Sequence, residues 1–344
     1  TTDVAPRSEG EFEVQLPESL RNTEMLELTV TGVRGFVIDE YCFRILPEQI
    51  KPQEQGQSGK LSCQEKADVI EIQSTGGAFT VDKRNGLLSA GQGGNAVLMQ
   101  SPALMVLPLN GDGEGVQMIG KDQKFKPYNP VCENWVAQSV TCLPGDELIS
   151  IKVKGIYKEA EGILEYRFHK NGEVTFVYDF TMLQDISPRQ TGLVFSLPSS
   201  FTHLDWQRKG YWNVYPEDHI GALTGQAEAF DASLPVSGLA GPSKQPVKSW
   251  SYDQTAAGSN MFRSTKENIY SACLKDKSGQ SITVKSDGTQ YVRAWIEGDA
   301  IRLLVAGYNN PRKENFLIPH AEKEYRPLRK GDKVQGRVTV SFHP

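Results

Sequence analysis

Long apolar runs are missing from this chain. No stretch approaches the ~20 residues that a membrane-spanning helix requires, so no membrane partner is expected. Basic charge is not in excess either: 37 Lys and Arg stand against 42 Asp and Glu, a formal net charge of -5. A nucleic-acid partner therefore has no electrostatic support. Cysteine is scarce, and Cys42, Cys63, Cys132, Cys142 and Cys273 form no C-x-x-C spacing, which argues against a zinc or redox motif. Their odd number leaves at least one thiol without an internal partner. Free buried thiols are favoured over one disulfide, for which Cys132 and Cys142 are the nearest pair. His169, His203, His219, His320 and His343 show no H-x-x-x-H spacing, so no metal or other cofactor is expected. There is no G-x-S-x-G elbow and no P-loop.

What the chain has is alternation. Its 344 residues, 38% of them hydrophobic, suffice for one large β domain plus a smaller one. Phe12, Val14 and Leu16 alternate with polar residues, as do Leu26, Leu28 and Val30, and Tyr41, Phe43 and Ile45. Successive strand side chains point to opposite faces, so each run predicts one buried and one wet face. Three strands rarely stand alone in water, so residues 1–47 read as part of a β-sandwich. The polar Gln-, Gly- and Pro-rich segment 48–60 reads as a linker. From 61 to 344 the alternation resumes. Phe79-Thr-Val81 leads to Asn85-Gly86, which predicts a two-residue hairpin turn. Tyr166 and Phe168, Asn171-Gly172, then Val174, Phe176, Tyr178 and Phe180 predict the cleanest hairpin. Ile149 to Val153, Ile282 to Val284, Tyr291 to Trp295, Ile301 to Val305 and Val338 to Phe342 predict further strands. The fold class is all-β, a large antiparallel sandwich. Ser264-Thr-Lys-Glu267 fits a helical capping box, with Ile269 and Cys273 at helical spacing, and fits equally a strand with Ile269 and Leu274 inside. Segment 225–250 reads as a long loop.

Residues 204–219 are the richest in chemistry. They combine Trp206, Tyr211, Trp212 and Tyr215 with Asn213, Glu217, Asp218 and His219. Aromatic faces stack on pyranose C–H faces while amides and carboxylates bind hydroxyls, so Tyr211, Trp212, Asn213, Tyr215, Asp218 and His219 are candidate carbohydrate ligands. A structural corner is the competing reading. Glu217 and Asp218 are a poor acid–base pair, because neighbours on a strand face opposite ways and glycosidase carboxylates sit ~5–9.5 Å apart across the bond. Asn110 to Gly115 reads as a solvated turn rather than a calcium loop. Tyr308, Asn309 and Arg312 could rim a sugar pocket, against the reading of a plain Asn-Asn-Pro turn.

Several segments resemble family 2 glycoside hydrolases of the β-galactosidase type. They are Gly192-Leu193, Leu204-Asp-Trp206 with Gly210-Tyr-Trp-Asn-Val-Tyr-Pro-Glu-Asp218, Phe79 to Ser89, Leu107 to Asp112, and Met261 to Ile269. The resemblance implies the end of an immunoglobulin-like domain over 1–47 and a galactose-mutarotase-like supersandwich over 61–344. It implies a catalytic TIM barrel upstream that carries both glutamates, so that this chain is non-catalytic and completes a sugar pocket. Tyr211-Trp212-Asn213 departs from the family signature, Met105 stands near where an arginine is expected, and 307–319 has no tryptophan. These departures leave the substrate open. A stand-alone carbohydrate-binding module using Trp206, Tyr211, Trp212 and Tyr215 is one alternative. A sugar epimerase using His203 or His219 with Glu217 is another. Homo-oligomer formation stays open. The chain begins at Thr1, as a trimmed or processed protein would, and a periplasmic or secreted bacterial setting is favoured over a cytoplasmic one.

Overall fold

The computed structural model describes residues 25–44, 61–92, 95–108, 131–209, 224–228, 265–309 and 326–343, with positions 10, 13 and 15. Every regular element among them is a β-strand, and every strand pairing is antiparallel. Strands β1 (Met25–Thr31) and β2 (Val37–Arg44) form a two-stranded ribbon in register from Met25↔Arg44 to Val30↔Asp39. The ribbon belongs to a compact unit of its own. Phe12, Val14, Leu16 and the segment 48–60 lie outside the described residues.

The second unit contains two sheets. A five-stranded meander runs β3 (Ser62–Glu65), β4 (Val69–Ser74), β5 (Gly77–Asp82), β6 (Leu88–Gln92) and β7 (Asn95–Ser101). The larger sheet is built from β8 (Ala103–Pro108), β9 (Val136–Leu143), β10 (Leu148–Ile156), β11 (Ala160–His169), β12 (Glu173–Met182), β13 (Pro188–Pro198), β14 (His203–Arg208), β15 (Thr224–Glu228), β16 (Lys266–Lys275), β17 (Ser281–Glu297), β18 (Ala300–Asn309) and β19 (Lys333–His343). Its main path is β15-β14-β16-β17-β19-β12-β11-β10-β9, and β17 also carries a branch through β18 and β13 to β8.

Alternation places the core. Val174, Phe176, Tyr178 and Phe180 are all buried, as are Val338, Val340 and Phe342 on the neighbouring β19. Phe79 of the five-stranded sheet packs on Phe168 at 5.1 Å and Phe342 at 5.4 Å between ring centroids, and Phe176 meets Phe195 at 5.1 Å. Tilted and edge-on pairs of this kind add about 0.5–1.5 kcal/mol each beyond the area they bury.

The hairpin at Asn171-Gly172 closes through a three-residue loop. Gly172 donates to the His169 carbonyl (3.0 Å) and takes the left-handed φ of 89° that such a loop needs at its last position. The hairpin at Asn85-Gly86 is wider than the two-residue turn predicted for it. Asp82 and Leu87 flank a four-residue loop, because the Asp82 carboxylate accepts from the Arg84 amide and Gly86 alone turns left-handed. The two runs at Ile282 and Tyr291 are one 17-residue strand. Its first part pairs β19 and its second part pairs β18, with Gly288 at φ 89° between them. Residues 266–275 are strand β16, with Ile269 and Leu274 buried, so the helical alternative at Ser264 is excluded. Pairing with β14 and β17 decides it, and a bulge with Asn268 at φ 55° absorbs the irregular register. Cys63, Cys132, Cys142 and Cys273 carry free thiols. The neighbour of Cys142 is Cys63, with sulfurs 3.2 Å apart, while Cys132 is buried and its amide is bound to Glu159.

Candidate functional site

The branch β17-β18-β13-β8 has two faces. One joins the main core through Leu193, Phe195, Leu303, Val305, Val292 and Ala294. The other carries a smaller apolar cluster of Met105, Leu107, Trp295, Leu304 and Ala306, with Tyr291 and Val194 packed against it. Polar side chains are gathered on this second face. Period two on β17 puts Tyr291, Arg293 and Trp295 on one side of the strand. On β13 and β18, Gln190 stands opposite Asn309 and Thr191 opposite Tyr308, after which a bulge shifts Gly192 onto Ala306. Such bulges re-aim side chains at the end of a ladder.

Four of these groups form a head-to-tail chain. Arg293 Nε donates to Gln190 Oε1 at 3.0 Å, and Gln190 Nε2 donates to Asn309 Oδ1 at 2.9 Å. Asn309 Nδ2 in turn donates to Glu267 Oε1 at 3.3 Å. Gln190 Nε2 also lies 3.4 Å from Thr265 Oγ1. A cation stands at one end and a carboxylate at the other, so each bond polarises the next in the same direction. Gln190 and Arg293 are each 1% exposed and Asn309 7%. Buried polar groups persist only when satisfied, and here they satisfy one another across β13, β16, β17 and β18. The Arg293 guanidinium rests on the Trp295 ring, 4.5 Å from its centroid. Lys266, also 1% exposed, holds its ammonium 5.3 Å over the Trp206 ring. The result is a fixed, buried array of donors and acceptors beside buried aromatic rings.

Solved structures match this chain, each of the following at a TM-score of 0.40 or lower. A putative aldose 1-epimerase from Escherichia coli K12 matches at 10% identity and a TM-score of 0.40, over 83% of this chain and 99% of that one. Galactose 1-epimerase from Lactobacillus acidophilus NCFM matches at 10% identity and 0.39, over 83% and 98%. The GalM/aldose epimerase homologue from C. elegans matches at 11% and 0.33, over 82% and 99%. No family profile matches the chain, and no curated protein matches it in sequence.

Of the residues that the sequence offered for sugar binding, Tyr308 and Asn309 fall on the described end of β18. Asn309 is inside the polar chain. Tyr308 is half-buried, and its hydroxyl accepts from the Arg326 amide at 3.2 Å. Tyr211, Trp212, Asn213, Tyr215, Asp218, His219 and Arg312 lie outside the described residues. Trp206 is no stacking platform. It is buried in the main core, with its ring against Gly225 on the paired strand. Met105, where an arginine was expected, packs with Leu107 and Trp295. His203 is held between two carboxylates, Nδ1 at 2.7 Å from Glu228 and Nε2 at 2.8 Å from Asp205, which Lys275 also engages at 2.5 Å. Both ring nitrogens are occupied, which makes His203 a poor base for sugar epimerisation. Among the described residues no group of three or more metal-ligating side chains converges.

Gln190, Arg293, Glu267 and Trp295 were missed in the sequence. One signal was available: an arginine alternating between Tyr291 and Trp295 on a strand must share a face with two aromatics. Gln190 had no comparable signal, because 103 residues separate it from Arg293.

Proposed function

We propose that this chain is a non-catalytic, carbohydrate-recognising β domain that binds a sugar on the β13-β17-β18 face. The observation that carries the reading is the buried chain from Arg293 through Gln190 and Asn309 to Glu267, set beside Trp295 and Tyr308. The polar chain is satisfied internally and Trp295 is 1% exposed, so these groups hold the face rigid, while half-buried Tyr308 at its rim offers a ring face and a hydroxyl to a sugar. Tyr211, Trp212, Asn213, Tyr215, Asp218, His219 and Arg312 are carried as sugar ligands by the sequence pattern alone, since they lie outside the described residues.

The sequence resemblance to family 2 glycoside hydrolases supplies the setting. In it, 1–47 ends an immunoglobulin-like domain, 48–60 links, and 61–344 lines the pocket of an upstream TIM barrel, alone or in a homo-oligomer. Isothermal titration with galactose, other monosaccharides and short β-galactosides is the test, run beside nitrophenyl-galactoside hydrolysis and aldose mutarotation. The expected result is saturable binding that weakens at least tenfold in Asn309→Ala, with neither activity above buffer. Turnover of the nitrophenyl substrate would overturn the non-catalytic reading. Accelerated mutarotation would replace it with a sugar 1-epimerase, and an absence of binding to every sugar would remove the carbohydrate reading.

A further inference from the structure

We propose that Cys63 and Cys142 form a reversible disulfide that ties the free edge of the five-stranded sheet to the free edge of the larger sheet. Among the described residues, strand β3 is the terminal strand of the meander and pairs only β4, while β9 ends the larger sheet's path and pairs only β10. Edge strands are hydrogen-bonded on one side and open first. The two thiols meet across this seam with their sulfurs 3.2 Å apart, about 1 Å beyond a disulfide bond length.

Both cysteines face inward. Cys63 lies between exposed Ser62 and Gln64 and is in register with buried Ile72, and Cys142 lies between exposed Thr141 and Leu143 and is in register with buried Ile151. Both thiols are half-buried and pack against the rim of the core, which leaves them within reach of a small disulfide reagent. Cys132 differs. It is buried, and its thiol is pushed up to about 12 by burial and then by the Glu159 carboxylate. The bond would close a 79-residue separation in sequence, a span over which a cross-link removes substantial freedom from the unfolded chain.

The reaction is thiol–disulfide exchange with a low-molecular-weight disulfide such as oxidised glutathione. One thiol loses its proton and attacks the oxidant, which gives a mixed disulfide and releases one glutathione. The second thiolate then displaces the other glutathione. Two protein thiols are oxidised to one disulfide, and one glutathione disulfide is reduced to two thiols. Burial, followed by the Cys63 hydrogen bond and the nearby Glu65 charge, pushes the Cys142 thiol up to about 12, so exchange at this seam accelerates as pH rises.

The test uses the full reduced chain, incubated with oxidised glutathione at about pH 8.5 and mapped by mass spectrometry under non-reducing conditions. The expected product has lost two of its five thiols, contains a peptide pair joined through Cys63 and Cys142, and melts about 3 °C or more higher than the reduced chain. Dithiothreitol reverses both changes, and Cys63→Ser retains glutathione on Cys142 without a cross-link. Because the mapping is done on the unmodified sequence, the proposal stands apart from the folding of any variant. Glutathione adducts without the link, a link from Cys142 to another cysteine, or an unchanged Tm in the linked product would each overturn it.

Discussion

The Tyr166 hydroxyl donates a 2.6 Å hydrogen bond to the carbonyl oxygen of Gly86, from the larger sheet to the loop of the β5-β6 hairpin. Trp135 Nε1 holds the preceding carbonyl, that of Asn85, at 2.8 Å. Burial drives the Tyr166 phenol well above the ordinary tyrosine value, so it remains a donor at every physiological pH. The loop, shaped by its own turn chemistry, is thus also fastened to the opposite layer by two side chains. Replacing Tyr166 by Phe strands a carbonyl and is expected to cost about 1–3 kcal/mol in urea unfolding. A midpoint identical to wild type would show that the tie contributes nothing.

Gly86 itself tolerates no side chain. At φ 68° a Cβ would stand 2.3 Å from Val153 Cγ1. Gly86→Ala combines left-handed strain with overpacking and is expected to lose about 2–4 kcal/mol. The double change Gly86→Ala with Val153→Ala relieves the clash and isolates the backbone part. If the double variant is no more stable than the sum of the singles predicts, the clash is not the cause.

Gln190 joins Arg293 to Asn309, and both neighbours lose a partner when it goes. Gln190→Leu is expected to destabilise by about 1–3 kcal/mol and to weaken sugar binding at least tenfold. Asn309→Ala acts on the same chain, so a double-mutant cycle should return a coupling of about 0.5–3 kcal/mol. Strict additivity would mean that the four groups are neighbours without being a network.

His169 is a pH-sensitive point of stability. Burial lowers its pKa, with Glu173 opposing and Arg167 assisting, and the ring meets Thr175 Oγ1 at 3.1 Å. A histidine depressed in the folded state is protonated first in the unfolded chain. Its contribution is complete above the ordinary value of ~6.5 and is lost as pH falls through the folded pKa. Unfolding free energies from pH 8 to 5 should decline less steeply in His169→Gln than in wild type; parallel curves would assign the acid sensitivity elsewhere.

Glu173 titrates in the opposite setting. Burial raises its pKa, but hydrogen bonds from Lys285 and Asn171 outweigh that, and the net direction is down. Its stabilisation is present above the ordinary glutamate value of ~4.3 and disappears as pH falls through the lowered one. Glu173→Gln is expected to cost up to about 1 kcal/mol at pH 7, less in high salt, and nothing near pH 2. A cost that persists at pH 2 would point to packing instead of charge.

The sequence by itself determined many of the described strands and where the two hairpins turn, because alternation and glycine-bearing turns are local. Val174, Phe176, Tyr178 and Phe180 have only one way to bury four side chains on one face. Only the tertiary structure decided the rest. Residues 266–275 carry helical and extended signals together, and hydrogen bonding to β14 and β17 selects the strand. Trp206 looked like a ligand platform until its partner strand closed over it. The polar chain from Arg293 to Glu267 and the meeting of Cys63 with Cys142 depend on which distant strands become neighbours. Strand pairing is a long-range choice set by the summed burial of two sheets, so no local run of residues could specify it.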